Sequence, residues 1–170
     1  ASSLYSYQNA ESGYLFGVEG SVRKRLDFSE FMSHFTLGGG FSIIESEVEV
    51  IPGSGFNPTN LTRPLQGQSP YTVNANLMWS STGGSTEIGV FYGIFGKRIE
   101  AAGGSGVPDI ELEPRNALDL TLRQRLGSRT SLKLKAENLL NEPYEWTQSQ
   151  NGITRTQRYY EVGQTISLSL

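Results

Sequence analysis

The stretch from Arg129 to Leu140 sets the tightest constraint on this chain, because Leu132, Leu134 and Ala136 alternate there with Lys133, Lys135 and Glu137. A period of two puts successive side chains on opposite sides of an extended backbone, so the segment reads as a strand with one apolar and one charged face. Just before it, Leu118, Leu120 and Leu122 alternate with Asp119, Thr121 and Arg123, and Gly127-Ser128 predicts a tight turn closing a hairpin. The pattern recurs at Tyr71, Val73, Ala75, Leu77 and Trp79 against Asn74 and Asn76. It appears again at Ile88, Val90, Tyr92 and Ile94, at Phe35, Leu37, Gly39, Phe41 and Ile43, and at Tyr14, Phe16, Val18 and Val22. With a last strand over Tyr160 to Leu170, seven strands are predicted, and a candidate eighth lies near Leu4 to Tyr7. Glycines such as Gly17, Gly38, Gly40, Gly89 and Gly93 fall inside these strands and predict a curved sheet.

The connections alternate in length. Short turns are predicted near Asp27 to Phe31, Ser81 to Ser85 and Gly127 to Arg129, and long loops near Ser46 to Gln68, Lys97 to Glu113 and Asn141 to Thr156. An antiparallel up-and-down meander with short turns at one end and long loops at the other is the pattern of transmembrane β-barrels, whose turns are periplasmic and whose loops are extracellular. Counting back from a final strand that ends in the periplasm puts all three long loops outside. The span from Tyr71 to Trp79, tilted by about 40°, rises roughly 21 Å, close to an apolar band about 25 Å tall. By the same arithmetic Tyr160 to Leu170 rises roughly 26 Å.

Composition narrows the chemistry. Fourteen Lys plus Arg against seventeen Asp plus Glu gives a net charge of −3, without the basic excess of a domain that grips phosphate backbones, so no nucleic acid is expected as partner. There is no cysteine and only one histidine, His34, which removes disulfides, thiolate metal sites and cysteine nucleophiles. His34 is expected at a strand end, not as a metal ligand. No cofactor and no catalysis are expected, and no apolar run is long enough for a membrane helix.

Several blocks resemble the late barrel of TonB-dependent outer-membrane receptors. In order they are Arg63-Pro-Leu-Gln-Gly-Gln-Ser-Pro-Tyr71 with the strand that follows, Tyr92-Gly-Ile-Phe-Gly-Lys-Arg-Ile99, Glu113-Pro-Arg-Asn-Ala-Leu-Asp-Leu120, Lys135-Ala-Glu-Asn-Leu-Leu-Asn-Glu-Pro-Tyr144 and Tyr159-Tyr-Glu-Val-Gly163. The end of the chain is similar to the barrel-assembly signal of outer-membrane proteins, mapping onto Glu161, Gly163, Ile166, Leu168 and Leu170, with leucine at the last position where an aromatic is more usual. The resemblance implies an all-β chain that forms the C-terminal segment of a large transmembrane barrel in the bacterial outer membrane, without the plug domain or TonB box. It further implies uptake of a scarce ligand such as an iron chelate, a cobalamin-like molecule or an oligosaccharide. The implied partners are outer-membrane lipid, the receptor's own plug and remaining strands, TonB through the missing N-terminal part, and the barrel-assembly machinery.

Recognition is usually placed on loops held by a rigid scaffold. The candidates for ligand contact are Glu45, Glu47, Glu49 and Asn57 in the first long loop, Asp109, Glu111 and Glu113 in the second, and Trp146, Gln148, Gln150 and Asn151 in the third. Their acids suit a cationic or metal-bearing cargo, and equally an ordinary solvated surface. Glu19, Arg23, Arg25, Glu87, Asp119, Arg123, Lys133, Lys135 and Glu137 share the polar face and are expected to line a lumen. Two other architectures remain open at this point: a closed eight-stranded outer-membrane barrel with an adhesin or structural role, and a soluble β-sandwich.

Overall fold

The computed structural model describes residues 9–53 and 57–170, so the candidate strand near Leu4 to Tyr7 lies outside the described residues. Seven strands form one antiparallel meander: β1 (Ser12–Arg25), β2 (Phe35–Glu49), β4 (Tyr71–Ser80), β5 (Thr86–Phe95), β8 (Arg115–Arg125), β9 (Ser131–Glu137) and β12 (Thr165–Ser169). Each pairs with the next along the chain, and β1 and β12 lie at opposite edges of the sheet. Five shorter strands sit within the long connections: β3 (Thr62–Arg63), β6 (Arg98–Ala101), β7 (Ile110–Leu112), β10 (Tyr144–Gln150) and β11 (Ile153–Tyr160). The chain is therefore all-β, with a short 3-10 turn at Met32–His34.

Register fixes the two faces. Residues directly opposite in an antiparallel pair point the same way, and the pairs Val18 with Ile43, Phe41 with Val73, Leu77 with Val90, Val90 with Leu120, Leu120 with Ala136 and Leu134 with Leu168 join into one apolar surface. The other face carries Glu19 beside Ser42, Asn76 beside Phe91, Glu87 beside Arg123 and Arg123 beside Lys133. Among the described residues the apolar face has no second layer over it: Phe16 is 60% exposed, Val18 66% and Ile166 74%. A β-sandwich buries such a face against a partner sheet, and among the described residues no sheet does so. On the polar face, Gly38 and Gly89 sit under neighbouring side chains. A Cβ at Gly38 would fall 2.7 Å from the Asn76 amide, and one at Gly89 would fall 2.7 Å from the Met78 sulfur.

Three boundaries differ from the sequence expectation. The first connection spans residues 26 to 34 and contains the 3-10 turn, where Ser29 Oγ accepts from Met32 N; His34 closes it with Nδ1 2.8 Å from the Ser80 carbonyl. β2 continues to Glu49, because β1 keeps pairing with it up to Ser12. The last strand begins at Thr165 instead of Tyr160. Tyr160 belongs to β11, where its ring stacks 5.3 Å from Tyr144, and Gly163 at φ +83° bends the chain before β12 starts. Of the residues expected to form an assembly signal, Ile166 and Leu168 thus lie on the apolar face of β12, Leu170 follows it, and Glu161 and Gly163 lie in the bend.

The Asn138-to-Tyr144 block ties this bend to the sheet. Asn138 takes the left-handed conformation at φ 57°, which asparagine tolerates better than most residues. Its amide nitrogen donates to Gly163 O at 2.7 Å, its side-chain oxygen accepts from Arg115 at 2.6 Å, and its backbone N–H donates to Asp119 at 2.8 Å. Glu142 then accepts from the backbone and side chain of Asn116, and the Arg115 guanidinium lies over the Tyr144 ring. Asn138→Ala loses two side-chain hydrogen bonds and incurs left-handed strain, and is expected to cost about 2–4 kcal/mol. Asn138→Gly keeps the backbone conformation and should cost about 1–3 kcal/mol. Denaturant midpoints of the two variants measure the difference, and equal losses would contradict a backbone contribution.

Candidate functional site

The long loops do not stay open. β11, β10, β7 and β6 form a second, four-stranded sheet that combines the second and third long connections. Among the described residues, the buried hydrophobic side chains are Val50, Ile99, Leu112 and Trp146, all at this loop end. Trp146, one of the candidates for ligand contact, is 5% exposed, stacked on Tyr144 and Tyr160, with the Arg158 guanidinium 3.7 Å from its ring centre. The first long loop is clipped to the second, since Ser105 N–H donates to the Asn57 carbonyl at 2.7 Å and Thr59 Oγ1 donates to Val107 O at 2.6 Å.

Ion pairs fix the second loop. Lys97 bridges Glu111 and Glu113, each at 2.8 Å, and Thr147 Oγ1 donates to Glu113 at 2.5 Å, joining the end of β7 to β10. Burial opposes the charge on Lys97, but its bonds to the two glutamates outweigh it and hold the ammonium above the ordinary lysine range. Burial also opposes the charge on Glu113; Lys97 and Thr147 outweigh it and hold the carboxyl below the usual glutamate range. Asp109 is equally committed, accepting from Asn60 Nδ2 at 2.9 Å and from Gly103 N–H at 2.6 Å.

Between these loops lies a cavity of about 340 Å³, within the size range of small-molecule sites. Its wall includes Ile44 and Ser46 of β2, Asn60, Thr62 and Arg63, Lys97 and Arg98, and Asp109 and Glu111. Ser46 Oγ is taken up by Leu65 N–H, and Arg98 lies over the Phe95 ring. Arg63 is different: its Nε and Nη1 atoms are enclosed and have no hydrogen-bond partner. The wall offers donors, acceptors and fixed charges, which suit binding by hydrogen bonds and charge. Among the described residues, no group of three or more His, Asp or Glu side chains is arranged to hold a metal ion.

The structure thus brings Glu45, Asp109 and Glu111 to one cavity and gathers Gln148, Gln150 and Asn151 at another. Glu45, Glu47 and Glu49 were expected in a loop; they lie exposed on β2, on the face shared with Phe41 and Ile43, and only Glu45 reaches the cavity rim. Gln148, Gln150 and Asn151 line a smaller cavity of about 210 Å³ with Arg155 and Gln157. There Gln148 donates to Pro108 O and Gln150 to Gly106 O, which braces the hairpin against the second loop. Asn151 and Gly152, at φ 53° and 77°, make the two-residue turn of that hairpin, the conformation for which Asn-Gly is the preferred pair. Sequence reasoning missed Arg63, Lys97 and Arg98. Lys97 and Arg98 carried a signal in standing just after a strand, and Arg63 carried none beyond its place in a family-like block.

No family model, no curated protein and no solved structure matches this chain.

The charge state of Glu113 makes the loop sheet acid-sensitive. A carboxyl held low stabilises the fold above the ordinary glutamate range and loses that contribution as pH falls through its depressed value. Lys97, held high, loses its contribution only as pH rises through its raised value. In a Trp79→Phe background, Trp146 emission should therefore shift red as pH falls below about 4.3, and stay constant through neutral pH. Lys97→Met should weaken the loop sheet at neutral pH and flatten this acid response; an undiminished response would place its origin elsewhere.

Proposed function

We propose that this chain is part of the β-barrel of a TonB-dependent outer-membrane receptor, serving energised uptake of a scarce ligand. The observation that carries the reading is the uncovered apolar face running across all seven meander strands, opposite a polar, charged face. Water-facing surfaces rarely hold an apolar patch on that scale, whereas the outward face of a membrane barrel must. The strict alternation of short turns with long loops, and the ordered blocks that resemble the family, support the same reading.

In this reading the apolar face meets outer-membrane lipid and the polar face lines the lumen and meets the plug. The loop end captures ligand, and TonB acts on the plug to open the path. An iron chelate, a cobalamin-like molecule and an oligosaccharide all fit that role. The free edges of β1 and β12 would pair with the remaining strands of the barrel, since an unpaired strand edge is an aggregation hazard. The closed eight-stranded barrel requires those two edges to meet; among the described residues they do not pair.

Leu120→Arg and Leu134→Arg, set side by side with Ala136 and Leu122 on the apolar face, should each cost about 2–4 kcal/mol if near the bilayer midplane. Unfolding in lipid vesicles measures this, and unchanged stability in both variants would count against lipid contact. The intact mass of the native polypeptide, recovered from an outer-membrane fraction, tests the larger claim. A mass several times that of the 170-residue chain fits a receptor, and a mass equal to it defeats the transport reading.

A further inference from the structure

We propose that the turn end of the polar face is a docking surface for an acidic polypeptide, whose carboxylates meet Arg123, Arg125 and Lys133 of the β8–β9 hairpin. Charge is divided along the strands. The three short connections, taken with three strand residues on either side of each, hold seven of the fourteen Lys and Arg but three of the seventeen Asp and Glu. The cations are Arg23, Lys24 and Arg25 at the first turn and Arg123, Arg125, Arg129 and Lys133 at the third; the acids are Asp27, Glu30 and Glu87. The rest of the chain holds seven cations against fourteen acids, so a chain of net charge −3 carries a positive end. A surface of one sign steers and selects a partner of the other.

Register concentrates this charge on one face. Arg123 stands directly opposite Lys133, and Arg125, two positions further on and on the same side, stands opposite Ser131. Like charges directly opposite across a ladder destabilise it, so a carboxylate arriving there relieves repulsion as well as adding attraction. Glu87 reaches Arg123 at 3.6 Å, but both side chains are well exposed and such a pair contributes little. Glu137 is taken by Lys135 at 2.9 Å. Among the described residues no carboxylate pairs with Arg125, Arg129 or Lys133. Beside the first turn, Arg25 Nε donates to Ser33 O at 2.6 Å, and this arginine joins His34, Thr36 and Ser80 around a cavity of about 370 Å³ whose wall includes no acid. That cavity offers a second seat for a carboxylate at the same end of the sheet.

The faces distinguish a protein from the bilayer as occupant. Arg23, Arg25, Arg123, Arg125 and Lys133 share the polar face, whereas Lys24 stands on the apolar one, opposite Leu37. The inference rests on the receptor reading at this step, since that reading puts lipid against the apolar face.

The test uses the full natural polypeptide, purified in detergent. A carbodiimide condenses a lysine amine with a carboxylate in contact with it, and mass spectrometry of the peptide holding Lys133 then reads its partner. An amide bond from Lys133 to an aspartate or glutamate beyond these 170 residues is expected, which makes the acidic surface part of the same polypeptide. When Lys133 stays free, an oligoglutamate peptide is titrated in. Binding that Arg125→Gln combined with Lys133→Gln weakens by about tenfold or more, and that Arg155→Gln at the loop end leaves unchanged, assigns the surface to a separate acidic protein. Lys133 joined only to a carboxylate within these residues, or free with no peptide bound, or peptide binding indifferent to the double substitution, overturns the inference. So does binding of phosphatidylglycerol vesicles without binding of the peptide, which assigns the cations to lipid. Failure of the receptor reading is separable, because the intact mass decides it without reference to Lys133.

Discussion

The alternation of apolar and polar residues along paired strands is the constraint on which everything else here depends. An extended backbone sends successive side chains to opposite sides, so a sheet written this way demands two different surroundings at once. A one-residue slip in any ladder would exchange them. Seven strands keep the same register of faces, which is why Leu120 and Leu122 stand beside Leu134 and Ala136 while Arg123 stands beside Lys133. The meander supplies the backbone hydrogen bonds, and its surroundings must supply the rest: a solvent for the apolar side and partners for the two edges.

At the loop end the physics is different. There the stabilising contacts are a small buried cluster around Trp146, the bridge from Lys97 to two glutamates, and side-chain caps such as Asp109 on Gly103. These contacts lock three connections into one body and determine which charges remain available. Of the residues that look like ligand-binding acids in the sequence, Asp109, Glu111 and Glu113 hold the loops together, while Glu45, Glu47 and Glu49 stand exposed on β2.

The meander was legible because period two is written strongly where one face is apolar. Leu118 to Leu122 and Leu132 to Ala136 leave little choice. The loop strands were not legible for the converse reason: Ile153-Thr-Arg-Thr-Gln-Arg-Tyr-Tyr160 extends without an apolar stripe, because it pairs only with β10 at the sheet edge. Glu45, Glu47 and Glu49 also alternate, but with charge where apolar side chains had been, so the continuation of β2 read as loop. The last strand was drawn too long because Tyr160 fits the aromatic pattern of a strand start, and nothing local shows that its ring is taken by Tyr144 and Trp146. As for the cavity, its acids stood out in the sequence and its cations did not, since only the meeting of loops far apart in the chain brings Arg63, Lys97 and Arg98 to one wall.

The bend at Gly163 closes the third long connection on itself. Asn138 grips Gly163 O, and Gln164 reaches back to Leu139 O at 2.8 Å, so the two ends of the β10–β11 excursion are stapled together at the sheet. The register of β12 on β9 is thereby set at the base of the excursion, before the hairpin contributes anything. Residues 140 to 162 therefore leave and rejoin the sheet at one base, and the strand that follows meets β9 in step, with Thr165 opposite Glu137. Held at both ends in this way, the excursion is a loop closed at its base and not a free extension of the sheet.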